Sequence, residues 1–114
     1  MLSKTHRFHG LNSLNFAHKQ GKVIRGSVMN LKFARNDRRE TYRVAVVVSK
    51  KVSKSAVTRN RIRRRVYEAV RLQAASIQKP YDLVFMVYSV ELATMESAKL
   101  QEIVAEQLRK ALTT

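Results

Sequence analysis

The stretch SKKVSKSAVTRNRIRRRV, Ser49–Val66, decides how this chain reads. It carries eight cations (Lys50, Lys51, Lys54, Arg59, Arg61, Arg63, Arg64, Arg65) and no acid. The charges are ordered. Ala56 and Val57 interrupt them, Asn60 stands between two arginines, and Ile62 and Val66 lie four apart, one helical turn. A disordered basic tail needs no such order. The segment reads as a cationic surface built onto a strand end and a helix start, with a polyanion as partner.

The flanking sequence gives that surface a scaffold. The spacing of Ile62, Val66, Ala69, Val70, Gln73 and Ile77 predicts a helix over Asn60–Gln78 with an apolar stripe, stopped by Pro80. Asn60, Arg61, Arg64, Glu68 and Arg71 fall on its opposite side, with Arg63 and Arg65 flanking. Glu68 lies within reach of both Arg64 and Arg71 for local ion pairs. Met29, Leu31 and Phe33 alternate with polar residues, so Val23–Ala34 reads as a strand. Tyr42–Ser49 reads as a second strand, buried on both faces through Val44–Val48, and the polar RNDRRE between them suggests a hairpin. Tyr81–Tyr88 is a third strand. A final helix carries Leu100, Val104, Leu108 and Leu112, with Thr94 as its cap and Glu96 in its first turn. Leu11–His18 is a short helix candidate ended by Gly21. The expected order is α-β-β-α-β-α in one domain spanning 1–114: an α+β fold, a small mixed sheet covered by helices on one face.

The chain has 114 residues, 45% of them hydrophobic, and a net charge of +15. A core is therefore expected and nucleic acid is the leading partner. Residues 1–72 hold 19 Lys or Arg against 3 acids, whereas 73–114 hold 4 against 5. The binding part is the first two thirds. No cysteine is present, which excludes disulfides and thiolate chemistry and fits a reducing, cytoplasmic setting. The basic start is not followed by an apolar run, so no signal peptide is expected. No apolar run is long enough to span a bilayer, and the basic helix lacks interfacial Trp, so no membrane role is expected.

Catalytic groups are scarce. Asp37, Glu40 and Glu68 each have arginines nearby, and no two acids are spaced for acid–base or metal work. His6, His9 and His18 have no further ligand near them. No glycine-rich phosphate loop occurs. The arginines form a richer constellation. Their planar forks grip phosphate oxygens and stack on bases. Asn60 can read a backbone or base edge and can also cap the helix with Arg61 as its first residue; the two roles are compatible. A ribosomal-type binder of structured RNA shares this charge and element order. A DNA-binding domain does so less well, because no helix-turn-helix, zinc-finger or heptad pattern accompanies the basic helix.

The residues Ser49, Lys50, Lys51, followed by Arg59, Asn60, Arg61, Arg63 and Arg64, resemble the mark of the bacterial ribonuclease P protein family. That mark is an S-K-K strand end, then R-N-R-x-[KR]-R opening a helix. Weaker agreement spans nearly the whole chain. The resemblance implies a protein that binds a catalytic RNA subunit and precursor tRNA and promotes removal of the 5′ leader. It implies that the RNA performs the hydrolysis and holds most of the Mg2+, with no protein-bound cofactor, no catalytic residue in this chain and a monomeric protein. Lys50, Lys51, Lys54, Arg59, Asn60, Arg61, Arg63, Arg64 and Arg65 would face the catalytic RNA. It further implies a left-handed β-α-β crossover, an exception to the usual hand, and a leader cleft between the first helix and the sheet. Leu14, Phe16, His18, Lys32 and Arg43 are the candidates for that cleft. The family's aromatics on the first helix are replaced here by Leu14 and His18, with Phe16 out of register by two, and a tyrosine-type strand position holds Lys32. Stacking, worth about 1–3 kcal/mol per base on aromatic rings, would be redistributed, with Phe8, Phe16, Phe33 and His18 as candidates. For Phe33 the favoured reading is a core residue, by its place in the strand.

Overall fold

The computed structural model describes residues 21–38 and 40–113. The helix candidate at Leu11–His18, and with it Leu14, Phe16 and His18, lies outside them. Among the described residues four strands form one sheet: β1 (Lys22–Ile24), β2 (Met29–Arg35), β3 (Arg43–Val48) and β4 (Tyr81–Val87). Two helices follow β3 and β4 respectively, α1 (Ala56–Leu72) and α2 (Ser97–Leu112), with short 3-10 turns at Ala74–Ser76 and Val90–Ala93. The fold is α+β, and the apolar stripes of both helices share one core with a single face of the sheet.

The sheet order is β1-β2-β4-β3. The expected hairpin between the second and third of these strands does not form. β4 inserts between them, antiparallel to β2 and parallel to β3. Burial explains the choice. Leu83, Val84, Phe85 and Val87 leave β4 almost no exposed side, which suits a central strand, whereas Val47 on β3 is 39% exposed and tolerates an edge. The strand expected over Val23–Ala34 is itself a hairpin. The chain turns between Ile24 and Met29, and β1 pairs back on β2 with Lys22 opposite Phe33 and Ile24 opposite Leu31.

Register sorts the side chains into two faces. Phe33, Leu83 and Val44 form one row across β2, β4 and β3, followed by Leu31, Phe85, Val46 and by Met29, Val87, Val48. All nine are buried, and they meet Ile62, Val66, Ala69 and Val70 of α1 and Leu100, Val104, Leu108 and Ala111 of α2. Phe33 is thus a core residue, its ring 6.4 Å from that of Tyr81. The opposite face carries Lys32, Val84 and Ala45 in one row and Ala34, Asp82 and Arg43 in the next.

Both helix boundaries differ from those expected. α1 begins four residues early because Ser55 accepts the N–H of Thr58 at 3.2 Å and caps it. It ends at Leu72, where the last turn tightens and Gln73 N–H bonds Val70 O at 2.9 Å. Ile77 still reaches the core by way of the 3-10 turn, without continuing the helix. α2 begins at Ser97 after Glu96, and Thr94 closes the preceding 3-10 turn instead of capping α2.

The β1–β2 turn is held by α2. Gln107 donates Nε2–H to Met29 O at 2.8 Å, and Gly26 N–H bonds Asn30 Oδ1 at 3.1 Å. A Cβ on Gly26 would sit 2.5 Å from Met29 O and 2.6 Å from Gln107 Nε2. Gly26→Ala is therefore expected to cost about 1–3 kcal/mol, in the range of overpacking substitutions. Urea unfolding checks this; an unchanged midpoint would show that the turn is loosely held.

Candidate nucleic-acid interface

The basic segment folds as a turn, a cap and a helix. Ser49–Val52 closes through Val52 N–H to Ser49 O at 3.1 Å and presents Lys50 and Lys51 to solvent. Lys54 follows, also exposed. Arg59 reaches back from α1, donating Nη1–H to Ser53 O at 2.8 Å. This bond ties the lysine-bearing loop to the arginine-bearing helix, so the two halves of the segment form one surface.

Within α1 the arginines divide by their partners. Arg61 donates Nε–H to Ala93 O at 2.7 Å. Arg65 donates Nη1–H to Leu92 O at 2.6 Å and Nη2–H to Met95 O. Both guanidinium ends of Arg65 are thereby spent on carbonyls at the junction leading to α2. Its position there desolvates the charge, and this, together with neighbouring Arg61, pulls its pKa below the usual arginine value. Arg63 donates Nη2–H to Asn60 Oδ1 on the same helix. Asn60 sits in the second turn, so the capping role falls to Ser55 and not to it. Arg64 is exposed and makes no hydrogen bond or ion pair with the described residues. Of the two partners open to Glu68, Arg71 is the one it takes, at Nε 3.0 Å, and this bonding holds the Glu68 carboxyl well below the usual carboxylate range.

The second face of the sheet has a different character. Asp82, with its side chain 1% exposed, receives Arg43 through Nε to Oδ1 and Nη2 to Oδ2, both at 2.8 Å. Asn36 Nδ2 adds a third donor to Asp82 Oδ2 at 3.0 Å. Arg43 is therefore anchored in the sheet. Lys32 lies one row along on the same face, beside Val84. Among the described residues no group of three His, Cys, Asp or Glu could hold a metal ion, and no helix is long and apolar enough to cross a membrane.

A model of the family described as Ribonuclease P matches residues 2–112. The chain belongs to this family. The ribonuclease P protein component of Roseiflexus sp. (strain RS-1) is 34% identical over 110 residues, covering 96% of this chain and 88% of the relative. That of Prochlorococcus marinus (strain MIT 9515) is 32% identical, covering 89% and 88%. Among solved structures, the RNase P protein of Staphylococcus aureus superposes with a TM-score of 0.81 at 21% identity, covering 93% of this chain and 94% of that one. The RNase P protein from Thermotoga maritima gives 0.76 at 24%, covering 85% and 89%. These two show the shared fold.

For a ribonuclease P protein, the sequence located the cationic segment and missed what holds it. The carbonyls of Leu92, Ala93 and Met95 are main-chain groups, which no side-chain pattern reveals. The one available signal was Ser89, whose Oγ accepts the N–H of Glu91 at 3.2 Å and starts the 3-10 turn that presents them. Asp82 was also missed as a partner, although an acid inside the apolar run YDLVFMV calls for one. Arg65→Met keeps the apolar stem but removes the donors to two carbonyls, and is expected to cost about 1–3 kcal/mol. Arg64→Met should stay within about 0.5 kcal/mol. Thermal unfolding of the two variants checks the contrast; equal melting temperatures would contradict the assignment.

Proposed function

We propose that this chain is the protein component of ribonuclease P and acts in 5′-end processing of tRNA, with a catalytic RNA as its partner. The observation that carries this reading is the single surface made by Lys50, Lys51, Lys54, Arg59, Asn60, Arg61, Arg63 and Arg64, in a chain of this family. Arg61 and Arg64 face outward from a helix whose other side is fixed to the sheet, so their charges meet RNA phosphates without reorganising the fold. Arg65 supports that surface from behind.

The division of labour is positional. The described acids are engaged with arginines (Asp82 with Arg43, Glu68 with Arg71) or scattered, and no set of them fits a Mg2+ cage. The reading assigns Mg2+ mainly to the RNA subunit, together with the hydrolysis. The protein neutralises phosphates and so lowers the ion concentration needed to hold substrate and RNA together. The face bearing Lys32 and the anchored Arg43 is assigned to the precursor-tRNA leader, together with Leu14, Phe16 and His18. One protein copy per complex, in the cytoplasm, completes the reading.

Cleavage of a precursor tRNA at low Mg2+ tests it. Protein plus catalytic RNA should cleave faster than RNA alone, and the advantage should shrink when the leader is cut to a single nucleotide. Cleavage by the RNA-free protein, or no stimulation at any Mg2+ concentration, would overturn the proposal.

A further inference from the structure

An open concavity of about 510 Å3 lies on the outward side of α1, lined among the described residues by Val57, Asn60, Arg61, Arg64 and Arg65. We propose that it seats a single unpaired nucleotide of RNA, with the base against Val57 and the phosphate between Arg61 and Arg64. This deepens the RNA-binding reading and rests on it.

Val57 is the observation that bulk charge does not explain. It is 79% exposed, more than any other large apolar side chain among the described residues, and it sits inside the most cationic part of the molecule. Positions 57, 60, 61 and 64 follow i, i+3, i+4 and i+7 spacing, so these side chains share one helix face. A surface made only to attract phosphate gains nothing from a valine at its centre. The apolar face of a base does gain from it, but bases stacked within a duplex cannot offer that face. An unpaired nucleotide can.

The polar groups around Val57 are set for the rest of the nucleotide. Nε of Arg61 is fixed on Ala93 O, which orients its guanidinium and leaves both Nη groups without a partner among the described residues. Arg64, three residues on, is likewise uncommitted among them. Two forks thus flank the apolar floor, the arrangement that grips a phosphate from two sides. Arg65, held by Leu92 and Met95, forms a wall that does not move to meet the ligand. Asn60 uses Oδ1 on Arg63, so its Nδ2 donors remain for a base-edge acceptor. The volume falls within the roughly 300–1,000 Å3 of small-ligand sites.

The test compares a blunt RNA duplex with the same duplex carrying one bulged nucleotide, bound by the full chain and by Val57→Ser across a salt series. Val57 is exposed, and an unchanged melting temperature confirms that the variant folds. The native chain should bind the bulged duplex about three- to tenfold more tightly, the size of one apolar contact. Val57→Ser should lose that preference while keeping the salt slope, because a base contact releases no counterions. No preference in the native chain, or a preference that survives Val57→Ser, would overturn the seat while leaving phosphate binding intact. Absence of salt-dependent binding to either duplex would overturn both the seat and the RNA reading beneath it.

Discussion

Burial of Ile62, Val66, Ala69 and Val70 against one face of the sheet fixes the direction in which every arginine of α1 points. A helix with Arg61, Arg63, Arg64 and Arg65 in two turns repels itself, and alone it would gain little from its propensity. Four buried side chains, at roughly 1.5–3 kcal/mol for a fully buried large aliphatic one, outweigh ion repulsions of a few tenths each. The basic surface is thus a consequence of core packing. It is completed by main-chain carbonyls at residues 92, 93 and 95, which take up two of the guanidinium groups. Arg61 still faces solvent because only its Nε is used in this way, and Arg64 has no such partner among the described residues.

The sheet imposes the second constraint. β4 must be central because both its faces are buried, and this makes β3 its parallel neighbour with α1 as the connection. The end of β3 and the start of α1 then lie at one end of the sheet, so Lys50, Lys51 and Lys54 join the arginines. Asp82 balances Arg43 inside the same sheet. Removing either partner alone would leave a buried group uncompensated, at a cost on the order of 3–5 kcal/mol. Arg43 consequently serves the fold as well as any ligand on that face.

Side-chain periodicity made much of this visible in the sequence. The stripe of α1 was legible because its apolar residues recur at helical spacing, and the same held for Leu100, Val104 and Leu108 of α2. The α+β class and the position of the cationic surface followed from that. Strand pairing was not legible: period-2 patterns give each strand its faces but not its neighbours, so β4 could not be seen to divide β2 from β3. Nor could the turn at Gly26 be separated from a continuous strand, because the side chain that packs beside it and bonds Met29 O is Gln107, 78 residues beyond Met29 in sequence. The start of α1 was missed because its serine cap, Ser55, lies ahead of the apolar stripe. Among the site residues, Arg65 shows the limit most clearly. By sequence it is one more arginine in a run of three, and only the carbonyls of Leu92 and Met95 set it apart.

In the proposed function the outward face of α1 meets RNA phosphates through Arg61 and Arg64. The most direct measurement is the salt dependence of affinity for the catalytic RNA, in the native chain and in the Arg61→Ala, Arg64→Ala double variant. Each lost phosphate contact should remove about 0.7–0.9 from the log–log slope, so the double variant should be flatter by up to about twice that. An unchanged slope, with the variant folded, would show that these side chains do not touch phosphate and would contradict the account.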